Sequence, residues 1–579
     1  VAAVVCLAPT ADRLAAGDPP TTKGKETLVG GMPLFAGWPQ NQKPDAAIVF
    51  SGQTFGYLQP CGCSRPQTGG LERRAVLIEQ LKAKGWPVAG VDLGDIYPEK
   101  AALAEQGKMK YVAALNALRE MGYLGIGVGK TELQGDLISL LGEYAWQKER
   151  RPFTLAGNVE GVVPGKPGLP RVEMFPPPKG AKRPVVEAIE VGTLGTVTVG
   201  VAGVVGKALQ DDNLKNKWDT TVDFPNAKKA IDDAVAALAK HALKPELNVL
   251  IFQGPSGDAA KVAADFPQFQ VILCQADSDL PPLKPQEVAG KLHPPGAKTL
   301  VVQVGHKGQH VGVLGAFKKP GGGFDFHYQL VPLGEEYIAP PNPAGAAGKT
   351  LDALEDYAKA VKAANLLPQY PRTPHPAQIH AKAFKPPVNL TYVGTDACKA
   401  CHAAEFKVWK GAGHSHAMNT LEKVAKRPGL RNFDGECVRC HTVGFDHDTG
   451  YVDNAKTPLL RDVGCESCHG PGSGHVADPK NQNLLALLSP WKQPGAPGAP
   501  PVKLPNLKFM EDMAKTDPFE RGKVPIAPAQ QQVINAVSNT CTKCHDHESD
   551  PHFDLYKYWS KIHHSGLAPP GGWPAVPPK

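Results

Sequence analysis

Long apolar runs are missing from this 579-residue chain. None reaches the ~18 uninterrupted apolar residues that a membrane helix needs, so no transmembrane segment is expected. The apolar stretch 1–8 is too short to span a bilayer. It reads as the trimmed end of a signal peptide or as the start of a mature chain, and Val5 ahead of Cys6 makes a poor lipidation signal. Blocks of like charge are missing too. The 63 Lys+Arg against 56 Asp+Glu leave a net charge of +7 spread along the chain without a basic helix. That argues against a nucleic-acid partner and suits docking to an acidic protein. No repeat demands a self-assembling array. What is plentiful is glycine (61) and proline (57), which imply many turns and long connections in an otherwise globular composition of 42% hydrophobic and 21% charged residues. At about 100–200 residues per domain, roughly two to four domains are expected.

Cysteine spacing decides the class. Eight of the 12 cysteines fall into four Cys-x-x-Cys-His motifs: Cys398/Cys401/His402, Cys437/Cys440/His441, Cys465/Cys468/His469 and Cys541/Cys544/His545. Two thiols three residues apart can reach the two vinyl groups of one porphyrin as thioethers, and the adjacent imidazole then lies beneath the iron. At this chain's own Cys and His frequencies chance supplies about 0.01 copies. Zinc knuckles and thioredoxin-like pairs do not require a His directly after the second Cys in every copy. Four covalently attached haem c groups are therefore expected. The part beyond residue 340 holds 14 of the 19 histidines; besides the four proximal ones these are His375, His380, His414, His416, His447, His475, His547, His552, His563 and His564, the candidates for the second axial position.

The text 392–402, Trp409 with Gly413-His-Ser-His-Ala-Met418, 437–445, 463–472 and the last motif resembles the tetrahaem cytochrome c five-fifty-four family, typified by the electron acceptor of hydroxylamine oxidoreductase. The resemblance covers about residues 390–570. It implies His475 opposite His402, His414 opposite His469, and His563 or His564 opposite His545. The family's second haem is five-coordinate, which implies an open iron on His441. Here His416 and His447 stand where either could close that site, so the second haem is left as relay or ligand binder.

Residues 45–335 read as an α/β region, with short apolar strands at 46–50, 88–93, 123–128, 196–204, 248–252, 269–274 and 300–304. Between them amphipathic helices are expected at 71–84, 101–121 and 225–242. The runs 50–58, 69–75, 91–95, 129–132 and 301–311 resemble the metallophosphatase domain of periplasmic 5′-nucleotidases, whose superfamily includes the thiosulfohydrolase of sulfur oxidation. The resemblance implies a layered α/β sandwich, but its metal ligands are replaced. Gln53 and Phe55 stand for an Asp-x-His pair, Lys130-Thr131 for Asn-His, and the later histidines fall among 253–256 and 274–278; Asp95 alone survives. A two-metal site needs oxygen and nitrogen donors that bridge ions ~3.5–4 Å apart, and a lysine ammonium there repels the ions. Phosphoester hydrolysis is not expected, nor is any catalytic residue assigned. Cys61, Cys63 and Cys274 converge on the same mouth in that fold. They are expected as a disulfide of Cys274 with Cys61 or Cys63, as a thiolate or redox site, or as free, inert thiols.

The chain thus divides into an extension (1–44), a metallophosphatase-like α/β domain (45–340), a Pro-rich linker with one helix near 349–365 (341–388) and a mostly α, loop-rich tetrahaem domain (389–579). The Pro-rich stretches 490–505 and beyond 566 are expected to be irregular. The function expected is that of an exported electron carrier, periplasmic, cell-surface or extracellular, with redox partner proteins. The alternatives are a haem-coupled enzyme using the second haem or the cysteine cluster, and a homo-oligomeric or filamentous conducting assembly.

Overall fold

The computed structural model of the protein describes residues 28–29, 32–40, 42–61, 65–145, 152–161, 186–424, 427–489 and 505–564. Cys6, Cys63, the stretch 490–504 and the tail from 565 lie outside them.

Two sheets stack face to face. The seven-stranded sheet runs Phe324–Pro332, His310–Lys318, Ala46–Ser51, Val88–Asp92, Tyr123–Ile126, Phe153–Leu155, Val186–Glu187. The six-stranded one runs Gln286–Val288, Thr299–Val302, Val271–Cys274, Leu247–Gln253, Val197–Val205, Ile189–Leu194. Their central strands pair in parallel and are covered on both faces, which is why they read as continuous apolar runs rather than as alternation. Successive side chains still take opposite sides. Ile48 and Phe50 enter the core between the sheets while Ala47 and Val49 face helices; Val249 and Ile251 point inward, Leu250 and Phe252 outward.

Helices α1 (Leu71–Ala83) and α2 (Ala104–Met121) cover the seven-stranded sheet with α3 (Gly345–Ala364) packed on both, and Ala227–Lys240 with Ser256–Asp265 cover the other sheet. The result is the layered α/β sandwich expected, with a helical cytochrome region after it. α3 is the helix expected in the linker, yet it is no free tether. Ala347, Leu351 and Leu354 share the core of α1 and α2, and each leucine contributes about 1.5–3 kcal/mol by burial. Farther along, Val361 enters a second core with Tyr370 of the linker and Met418, Val438 and Phe445 of the cytochrome region, against which Leu103 and Met109 pack.

A buried polar knot ties the same two regions. Gln106 on α2 donates to Asp434 Oδ1 (2.8 Å) and accepts from the Tyr370 hydroxyl (2.5 Å), while the Tyr357 hydroxyl donates to Asp434 Oδ2 (2.8 Å). Asp434 is the N-cap of α4 (Gly435–His441), which carries the second Cys-x-x-Cys-His motif. Lys110 on α2 pairs with Glu436 in the first turn of α4. Burial alone would lower the Lys110 pKa, but the carboxylates of Glu436 and Asp434 more than offset it and hold the ammonium charged. The rest of the cytochrome region is short helices and 3₁₀ turns around small cores. No helix among the described residues is long and apolar enough to cross a membrane.

Candidate haem-binding site

The second and third motifs lie within the short helices Gly435–His441 and Cys465–His469, while the first and fourth begin at the last residue of the 3₁₀ turn Thr395–Cys398 and of the helix Pro528–Cys541. The Cys398 thiol is within hydrogen-bond reach of Cys465, and Cys440 of Cys544; Cys468 lies beside Cys541 and Cys544. The motifs therefore follow one another in space as first, third, fourth, second. Glu466, inside the third motif, accepts from the amides of Val393 (3.0 Å), Gly394 (2.7 Å) and Gly472 (2.7 Å) and so folds the segment leading to the first motif onto the third.

The cysteines expected to attach haem are not equally enclosed. Cys398, Cys437, Cys440, Cys465, Cys468, Cys541 and Cys544 are partly buried, whereas Cys401 is exposed. The first motif stands at the outer end of the row, and the 3₁₀ turn Thr395–Cys398 stops three residues short of Cys401. A weak backbone bond from the Cys401 amide to the Cys398 carbonyl (3.3 Å) continues the turn, but it leaves the thiol on the solvent side. The assignment of Cys401 to a haem therefore rests on motif spacing and not on an enclosing wall.

An imidazole–metal bond is about 2 Å long and each ring nitrogen is ~1.1 Å from its ring centre, so two imidazoles on opposite sides of one metal stand about 6.3 Å apart, centre to centre. Among the described residues three pairs have this spacing: His402 with His475 at 6.3 Å, His414 with His545 at 6.2 Å, and His469 with His564 at 6.2 Å. His475 faces His402 as the family resemblance implies. The other two partners are exchanged: His414 meets His545 of the fourth motif rather than His469, and His564 meets His469 rather than His545. Fourth-motif Cys544 adjoins Cys440 while Cys541 adjoins Cys468, so the third and fourth sites are neighbours and a swap between them is short in space. His563 leans on Trp559 at 5.7 Å.

The protonated nitrogens are also accounted for. His441 Nδ1 lies 2.6 Å from the Ala417 carbonyl, His469 Nδ1 2.8 Å from the Leu488 carbonyl and His545 Nδ1 2.8 Å from Asp550 Oδ2. With Nδ1 donating, Nε2 keeps its lone pair for a metal. Burial holds His414 and His475 below the ordinary histidine pKa, reinforced by His545 and His402 respectively, which favours the neutral ligand form.

His441 differs. Among the described residues no imidazole faces it at ring-pair distance. His416 is exposed and its Nδ1 lies 3.2 Å from the Ser415 hydroxyl. His447 packs edge-on to His375 at 4.9 Å, with its Nδ1 near the Thr373 carbonyl. His380, His547 and His552 are exposed.

The mouth of the α/β region is closed by its own hydrogen bonds. Gln53 Oε1 accepts from Ala276 N (2.7 Å), Gln275 donates to Gln253 (3.2 Å), and His306 bridges Asp279 (2.9 Å) and the Ala276 carbonyl (2.9 Å) with its ring 5.4 Å from that of Phe55. Gln53, Phe55 and Asp95 keep positive φ values of 49°, 51° and 58°, a costly backbone for non-glycine residues. Glu132 is bound by the amides of Asp95, Ile96, Tyr97 and Gly129. Among the described residues no group of three or more His, Cys, Asp or Glu is placed to hold a metal. The cysteine expectation is corrected: Cys61 is disulfide-bonded, but Cys274 is free and therefore is not its partner. Strand alternation turns Cys274 away from the mouth into the core under the outer helices, where burial pushes its thiol up to about 12 and leaves it unreactive.

Sequence spacing misses two carboxylates. Glu466 is visible only as a motif filler, and Asp550 gives no signal because its partner, His545, is set by a turn rather than by a periodic pattern.

Residues 397–470 match the family model described as cytochrome c554 and c-prime. A curated relative, cytochrome c-554 of Nitrosomonas europaea, is 35% identical over 113 residues, 18% of this chain and 48% of that protein, so the chain spans about half the length of the relative it matches. Among solved structures, the 5′-nucleotidase precursor of Thermus thermophilus is 20% identical at a TM-score of 0.39, covering 55% of this chain and 59% of its own. The sulfate thiohydrolase SoxB of Thermus thermophilus is 14% identical at a TM-score of 0.40, covering 56% and 62%. The two-sheet architecture above rests on the strand pairing itself, not on these scores. Residues 397–470, within the helical C-terminal region that follows the two-sheet α/β region, are thus what the chain shares with the cytochrome c554 and c-prime family.

Proposed function

We propose that the protein is an exported tetrahaem electron carrier, in which the imidazole pairs His402/His475, His469/His564 and His414/His545 hold three relay irons and His441 holds the fourth group, that of the second motif. The observation that carries this reading is the 6.2–6.3 Å spacing of all three pairs. Bound haem supplies a reversible one-electron couple, and two imidazoles per iron favour transfer over ligand chemistry. The chain's own part is positional. The thioether cysteines fix each porphyrin, the Nδ1 acceptors orient the proximal rings, and the adjacent thiols of Cys398/Cys465 and Cys440/Cys544 line the sites up as first, third, fourth, second. With Cys401 exposed, the first site is the end of the row that meets solvent and so suits exchange with a redox partner. The α/β region serves as a scaffold without hydrolytic chemistry, and redox proteins are the partners.

The test is haem quantification together with redox cycling of the purified holoprotein. Four haems per chain, all reduced and reoxidised reversibly, are expected; fewer than four attached haems, or haems that cannot be cycled, would sink the proposal. A second reading rests on His441 having no facing imidazole among the described residues: the second haem binds a small ligand. Carbon monoxide binding to one reduced haem in four supports it, and none counts against it.

A further inference from the structure

The loop after the fourth motif is held from two directions. On the cytochrome side Asp550 is buried, its Oδ2 lies 2.8 Å from His545 Nδ1, and its Oδ1 has no partner among the described residues. On the other side the same loop lies on the closed mouth of the α/β region. Gln67 Nε2 donates to the carbonyl of Ser549, the residue before Asp550, at 2.7 Å. Lys307 pairs with Glu548 at 2.9 Å, and His552 Nε2 lies 2.9 Å from the Pro66 carbonyl. Gln67 is itself buried, and its carbonyl is gripped by the buried guanidinium of Arg73 on α1. Gly69, at φ +93°, lets the loop pass close to the Lys307 and Gly308 carbonyls where a Cβ would stand 3.1–3.2 Å from them.

His441 and His469 donate to neutral backbone carbonyls, whereas His545 meets a carboxylate. A carboxylate on Nδ1 raises the electron donation of the ligating ring and adds negative charge beside the iron, both of which favour the oxidised state. We propose that the mouth of the α/β region is a clamp that holds Asp550 against His545 and so lowers the reduction potential of the fourth haem below what backbone-supported histidines give. The region that resembles a hydrolase would then act on electron flow through positioning residues Gln67 and Lys307, which hold Ser549 and Glu548 beside Asp550. The inference rests on reading the fourth motif as a haem site.

The experiment is a potentiometric titration of the holoprotein and of the variants Asp550→Asn, Asp550→Glu, Gln67→Ala and Lys307→Met, each first assayed for four attached haems. Asp550→Asn is expected to move one of the four midpoints upward by a factor of about ten in the oxidation equilibrium, which is about 59 mV for one electron. Asp550→Glu should restore most of it. Gln67→Ala and Lys307→Met should move the same midpoint upward by a smaller amount and leave the other three in place. An unshifted midpoint in Asp550→Asn with four haems attached overturns the inference. A shift in Asp550→Asn with none in Gln67→Ala or Lys307→Met overturns the role given to the α/β region. Fewer than four haems in the unaltered protein instead overturns the tetrahaem reading beneath it.

Discussion

The N-terminal α/β region fills its interior with its own side chains, as the shared core of Ile48, Phe50, Val249, Ile251 and Leu273 shows. The cytochrome region has one sizeable core, shared with α3 around Met418, Val438 and Phe445, and otherwise small clusters such as Met510, Ile534, Val537 and Leu555, beside imidazole pairs held 6.2–6.3 Å apart. One half is specified by apolar periodicity and buries enough surface to order itself. The other is specified by fixed Cys and His spacings and depends on a cofactor for much of its apolar bulk. The two are joined firmly, because α3 and the Gln106–Asp434–Tyr357 knot belong to both.

The harshest way to break the comparison is to produce the chain without haem attachment. Limited proteolysis is then expected to digest 390–489 and 505–564 while 65–145 and 186–364 resist; equal resistance throughout would erase the distinction. Next comes Leu354→Ala, which opens a cavity beneath α3 and is expected to cost about 2–5 kcal/mol in denaturant unfolding. A loss under ~1 kcal/mol would mean that α3 is a tether after all. Asp434→Ala removes the α4 cap and is expected to cost about 0.5–2 kcal/mol and to perturb the second haem's spectrum, since the cap opens the helix bearing Cys437 and His441.

The smallest effect concerns pH. Burial raises Asp95 to about 6 and, with Asp95 beside it, Glu132 to about 7, in spite of their hydrogen bonds. Between about pH 4 and 7 the folded protein therefore holds protons that the unfolded chain has released. Stability from this pair falls as pH rises through that window, by at most about 1.4 kcal/mol per pH unit for each proton. Asp95→Asn should flatten the slope measured by thermal unfolding at pH 5 and 7.5.

Much of this is legible in the sequence because the relevant chemistry is local. The strands at 46–50 and 248–252 lie within a residue or two of the observed ones, since a doubly covered strand must be apolar throughout. The hairpin of His310–Lys318 and Phe324–Pro332 escapes such a reading: its outer strand is only half-buried and mixes polar with apolar residues. The haem motifs are visible because covalent attachment fixes the spacing, although spacing says nothing of enclosure, as the exposed Cys401 shows. The distal pairing is less legible, since it depends on which of two neighbouring sites a helix end reaches. For Cys274 the missing information is the face of its strand, which only the register supplies.

The central claim is tested most directly by electron paramagnetic resonance of the fully oxidised holoprotein. At least three low-spin haems with two imidazole ligands each are expected, with His475→Ala and His564→Ala each converting a different low-spin signal. A spectrum dominated by high-spin iron would contradict the account.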